Sequence, residues 1–203
     1  MIRNLSLSAD QVAKLKTEAV RGKPYAGRVS IVLAFRLLGA ADTGLDVWAI
    51  LDELDHLEGI RPLSKTKDAK PFHRGALIPF WHKHFSSARH IVKNIGIRWN
   101  LGGNGNKDLD ALIEEVARDY GDDPDIWPKV LVDRLIMEGY SDRTMYGLTG
   151  DWIVFGVHND QNYYLDLATH EEGTPQNAHK LFAKLKQGSA AEFPFLFDSQ
   201  PDV

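Results

Sequence analysis

The stretch PFWHKHFSSARHIVKNIGIRW, from Pro79 to Trp99, decides how the chain is read. Pro79 suits the first turn of a helix. At about 100° per residue, Trp81, Phe85, Ala88, Val92, Ile95 and Trp99 fall on one apolar face that should be buried. His82, Ser86, Arg89 and Lys93 fall on a second stripe, with Lys83 and His90 beside it and no carboxylate on the segment. A face that is merely solvated usually mixes charges, because opposite signs at i,i+4 stabilise a helix. The spacing therefore predicts a helix over 79–98 that presents a cationic stripe. His84 falls in the apolar arc and reads as a hydrogen-bonded core histidine. On a helix, His82 and His84 point about 200° apart and cannot share a metal ion. Only as a strand would the two share a face.

The surroundings of the stretch sharpen this reading. Between Arg61 and Asn100 there are nine Lys or Arg against a single acid, Asp68, a net +8 that leaves the other 163 residues at −12 beneath a total of −4. His73, His82, His84 and His90 lie in the same window, as do Phe72, Phe80, Trp81, Phe85 and Trp99. A basic, aromatic segment in an acidic protein points to an anionic partner, or to docking on the acidic remainder of its own chain. With 203 residues, 43% of them apolar, the chain suits one globular domain. The absence of cysteine excludes disulfides, thiolate metal sites and a cysteine nucleophile. No apolar run reaches the ~20 residues of a membrane span, and no secretory h-region opens the chain, so a cytoplasmic setting is expected.

Helices are predicted on either side. Ser8 with Gln11 reads as a capping box ahead of Val12, Leu15 and Ala19. Arg28 to Leu38 reads as a buried helix stopped by Gly39. Thr43 with Asp46 caps a helix carrying Val47, Ile50, Leu51 and Leu54. Gly102 to Asn106 connects to a helix bearing Leu109, Leu112, Ile113 and Val116. Pro128 opens another with Val130, Leu131 and Leu135, and Gly139 is its stop. The period then changes to two: Trp152–His158 and Tyr163–His170 form a hairpin around a four-residue loop, followed by a helix from Pro175 to Lys186 and an aromatic tail at Phe193–Phe197. This hairpin register pairs His158 with Tyr163 and sets Asp151 opposite His170. Tyr164, Asp166 and His170 then share one face, while Trp152, Val154, Leu165 and Leu167 form the apolar one. Asp166 and His170, about 13 Å apart along the strand, are too distant to touch directly, which makes Asp151 the better acid for an acid–imidazole pair.

Known motifs are missing. The glycine-rich loop lacks the P-loop pattern, and neither G-x-G-x-x-G, G-x-S-x-G nor H-E-x-x-H occurs. The expected fold is α+β: a mainly helical body of about six helices over 1–140, then a β-hairpin and closing helix over 141–203. The expected activity is binding of nucleic acid or another phosphate-bearing ligand along the 79–98 helix, extending to metal-independent cleavage by a toxin- or defence-like ribonuclease. His82 would move the proton, Arg89 and Lys93 would stabilise the transition-state charge, and His170 would assist. Lys83, Ser86, His90, Arg74 and Tyr164 would bind the ligand, with no cofactor and no metal. The alternative is an interaction or homo-oligomerisation module that docks an acidic protein partner or a second copy of the chain.

Overall fold

The computed structural model describes residues 6–86, 90–103, 105–121, 123–145 and 147–198. The capping box at Ser8 is realised. Ser8 and Gln11 bond reciprocally (Ser8 N to Gln11 Oε1, 2.8 Å) and open α1 (Ala9–Ala19). Ser30 caps α2 (Ile31–Leu38), which buries Leu33, Ala34 and Leu37. A single turn, α3 (Ala40–Thr43), leads into α4 (Val47–Leu57), whose cap is Asp46 and not Thr43: the Asp46 side chain accepts from Ala49 N.

The decisive stretch is not one helix. After the two-residue strand β1 (Lys70–Pro71), Phe80–Phe85 forms strand β2, and α5 covers only Ile91–Arg98. The apolar positions that fit a 3.6 period also contain a shorter alternation, F-W-H-K-H-F, and long-range pairing selects it. Strand β2 lies antiparallel to β3 (Asp151–His158), from Phe80 opposite Gly156 to Phe85 opposite Asp151. With β4 (Gln161–Ala168) they complete a four-stranded antiparallel sheet in the order β1-β2-β3-β4. The fold is thus α+β with eight α-helices among the described residues, but its strands are not confined to the C-terminal end.

The hairpin register also departs from expectation. Its turn has two residues, Asn159 and Asp160, both in the left-handed region at φ 49° and 58°, as a type I′ turn requires. An irregularity between Val154 and Phe155 then shifts the pairing, so that Tyr164 faces Phe155 and Asp166 faces Val154. Neither face of the sheet is solvated. Phe85, Ile153, Phe155, Tyr164 and Leu167 pack on α1, α2 and α4. Phe80, Trp152, Val154 and Leu165 pack on α8 (Ala178–Ser189) and on the tail residues Phe193, Leu196 and Phe197.

Between β2 and β3 the chain makes a helical trio of α5, α6 (Lys107–Tyr120) and α7 (Trp127–Met145), packed around Trp99, Leu112 and Val116. Gly139 does not stop α7; it admits Trp99. A Cβ at 139 would lie 2.4 Å from Trp99 Nε1, which donates to Leu135 O at 2.8 Å. Asn94, fully buried, ties the trio to the sheet: its amide donates to His90 O and Thr149 O (3.0 and 2.8 Å) and accepts from Thr149 N (2.9 Å). Among the described residues no helix is long and apolar enough to cross a membrane.

Candidate functional site

As a strand, β2 places His82 and His84 on one face, opposite Val154 and Trp152 of β3. His170, two residues beyond β4, joins them. The three imidazoles gather around Trp152, which is 9% exposed. The rings of His82 and His170 each lie 4.6 Å from the indole, and His84 lies 5.1 Å from His170 and 5.9 Å from His82. Phe72 closes the group, 4.7 Å from His82 and 5.5 Å from Trp152. His84 Nδ1 contacts Gly150 O at 3.0 Å. By contrast His82 Nδ1, Trp152 Nε1 and His170 Nε2 are buried without a hydrogen-bond partner among the described residues. Unsatisfied buried polar atoms are uncommon in folded proteins, and here three of them converge on one cluster.

Burial sets the protonation of this cluster. It lowers His82 and His84 to a pKa of about 4 and lowers His170 as well. The charged neighbours act mostly in the same direction. Lys70 and His73 lower His82, Lys67 lowers His84, and Lys93 and Lys67 lower His170; Asp151 alone opposes them, at His170. At neutral pH the imidazoles are therefore uncharged acceptors and donors, and the fixed positive charge belongs to the lysines around them. Lys67, Lys70, Arg74 and Lys93 are exposed and form no ion pair among the described residues. Also among the described residues, no group of three or more His, Cys, Asp or Glu side chains is arranged to hold a metal ion.

No protein-family model, curated protein or solved structure matches the chain.

The structure brings together some of the expected residues for a reason the helical reading did not contain. His82, His170 and Lys93 share this cluster, and Arg74 lines the pocket next to His82. His90, just ahead of α5, is buried with Nε2 3.8 Å from Asp151 Oδ1. Arg89 lies outside the described residues. Ser86 lines a separate pocket with Asp52, Glu53 and Arg61.

Lys83 is not on a ligand-facing stripe. It is fully buried, with its ammonium 3.1 Å from Glu53 Oε2 and donating to Ser64 Oγ, Thr66 Oγ1 and Lys67 O. Tyr164 is on the other face of the sheet and donates to Glu58 Oε1 at 2.6 Å. Asp166 serves Arg36 and Lys184, not His170. Asp151, expected as the acid partner of His170, acts on it through its charge, which raises the His170 pKa.

Lys67, Lys70, Phe72 and Trp152 escaped sequence reasoning as site residues, and His84 was placed in the core without a role. The signal that could have found the pair is the H-x-H at period two between aromatics, once that segment is taken as a strand. A larger cleft, about 700 Å³, opens elsewhere, between α2 and the end of the sheet. Its charged lining is Arg36, Asp151 and Glu172, and two carboxylates against one guanidinium make it a poor receptor for an anion.

Proposed function

We propose that this protein binds a phosphate-bearing ligand, nucleic acid foremost, at the histidine cluster around Trp152. The observation that carries the reading is the charge pattern. Three uncharged imidazoles sit among cationic neighbours with one acid, Asp151, and exposed Lys67, Lys70 and Lys93 carry no internal counter-ion among the described residues. Lysines kept free of carboxylates attract phosphates, and imidazoles can donate to phosphate oxygens once the anion has raised their pKa. Cleavage, where it follows binding, would use His170 as the base, with Lys93 facing the charge that develops on the phosphoryl oxygens. His82 is the weaker base, because burial holds it near 4.

Fluorescence anisotropy of a labelled single-stranded RNA, measured across a salt series, tests this. Three phosphate contacts give a slope of about −2 in log K against log salt, and reversing Lys67, Lys70 and Lys93 to Glu abolishes it. A flat salt dependence refutes the proposal. The same samples, run on a gel with chelator present, report cleavage.

A second reading is favoured by one surface. On α7, Val132 and Ile136, one turn apart and therefore on one face, are exposed (52% and 46%), an apolar surface suited to a protein contact. Light scattering across a concentration series checks it: a mass that stays monomeric at all concentrations excludes self-association.

A further inference from the structure

Next to the imidazoles lies a small pocket of about 300 Å³ with largely apolar walls, built from Phe72, Leu77, His82, Trp152 and Ala178. Arg74 and His179, both exposed, stand at its edge. Two of the unpartnered buried nitrogens, His82 Nδ1 and Trp152 Nε1, belong to residues of its wall. Gly173 fixes the indole from the side: a Cβ there would lie 1.9 Å from Trp152 Cζ3, so the 173–178 segment can close on the ring only because residue 173 has no side chain.

We infer that this pocket receives a single unpaired nucleobase, whose attached phosphate lies over the neighbouring lysines. A flat heteroaromatic ring suits both halves of the lining. Its faces meet Phe72 and Leu77, and its polar edge supplies partners for the indole N–H and the imidazole nitrogen, groups that are costly to leave unpaired. The volume stands at the lower limit of small-molecule sites, room for one ring system and not for a stacked pair. A base held in a duplex would first have to leave its stack, at a cost of a few kcal/mol, so the pocket selects single-stranded nucleic acid or a free nucleotide. Arg74 at the edge adds a guanidinium suited to bidentate phosphate contact. The inference rests on the proposal that the imidazole–lysine cluster takes phosphate.

The two ideas are separable with four probes on the intact protein: adenosine and uridine, their 5′-monophosphates, inorganic phosphate, and the corresponding ten-residue homopolymers. Binding is followed through the indole N–H cross-peak of Trp152, assigned by its loss in Trp152→Phe. Nucleosides should move that peak, and monophosphates should move it at concentrations at least tenfold lower. Arg74→Ala, an exposed change, should weaken the monophosphates by fivefold or more and leave the nucleosides unchanged.

If phosphate and homopolymer bind but no nucleoside or nucleotide moves the Trp152 peak, the base pocket is overturned and the phosphate site stands. If nucleosides move it and the phosphate gives no tightening, the phosphate reading falls and the ring pocket survives. Silence from every probe overturns both. A homopolymer that binds more than tenfold tighter than its monophosphate identifies a strand as the source of the base; equal affinity identifies the free nucleotide.

Discussion

Replacing Lys83 with Met should destabilise the protein by about 3–5 kcal/mol, the range for removing one partner of a buried ion pair. The structure supplies the reason. Lys83 has no solvent exposure, Glu53 is 5% exposed, and the ammonium donates to Ser64 Oγ, Thr66 Oγ1 and Lys67 O at 2.7–2.8 Å while lying 3.1 Å from Glu53 Oε2. Lys83→Met fills the same volume but leaves the Glu53 carboxylate in the interior with, among the described residues, only Ser64 Oγ donating to it, at 2.7 Å. Removing both charges, in Lys83→Met with Glu53→Leu, relieves that penalty. The oxygens left without a donor then cost about 1 kcal/mol each, for a total of about 1–3 kcal/mol. The double variant should therefore be about 2 kcal/mol more stable than Lys83→Met alone, which marks the two sites as coupled. Urea unfolding measures this as a shift of the midpoint at constant slope. The reasoning is refuted if Lys83→Met lies within about 1 kcal/mol of the parent, or if the two single costs simply add. A folded Lys83→Met protein should also bind single-stranded RNA as the parent does, since this lysine faces inward.

Three further outcomes follow from the same geometry. His82 and His84 titrate near 4 in the fold against 6.5 when unfolded, so the unfolded chain takes up protons that the folded one refuses. Stability from this source is complete above pH 6.5 and declines as pH falls toward 4; Tm should drop across that window, less steeply in His82→Phe, and a flat profile from 7 to 4.5 would count against the buried cluster. Asn94→Ala removes the bonds to His90 and Thr149 and strands the Thr149 N–H, and should cost about 2–3 kcal/mol. Hydrogen exchange should then rise in 91–145 more than in the sheet. Gly139→Ala gains about 1 kcal/mol of helix propensity but sets a Cβ 2.4 Å from Trp99 Nε1. Overpacking outweighs propensity, so calorimetry should find the variant less stable by about 1–2 kcal/mol net.

The site was legible in part, and for the wrong reason. His82 and Lys93 were identifiable as polar or cationic residues of a carboxylate-free segment, and His170 as the imidazole closing the second run of the hairpin, and the fold does gather them. Their common ground is an antiparallel sheet, not a helix face, and its centre is Trp152, which the sequence presents as an ordinary apolar residue. Lys83 belonged to the same cationic set and ended as the internal partner of Glu53, 30 residues away. Nothing local separates the two fates, because each depends on which strand face the side chain occupies.

The sequence by itself determined the elements whose stabilising contacts lie within a few residues. The Ser8–Gln11 cap, the helix bearing Leu109, Leu112, Ile113 and Val116, and a hairpin in the 151–168 region all follow from short-range hydrogen bonds and periodicity. Only the tertiary structure decided that Phe80–Phe85 is a strand, where the hairpin register falls, and that α7 runs through Gly139. The physical reason is the same in each case. Helices cover both faces of this sheet, which removes the alternation of polar and apolar residues that marks a half-exposed strand, and pairing partners some 70 residues apart settle what local propensity leaves balanced.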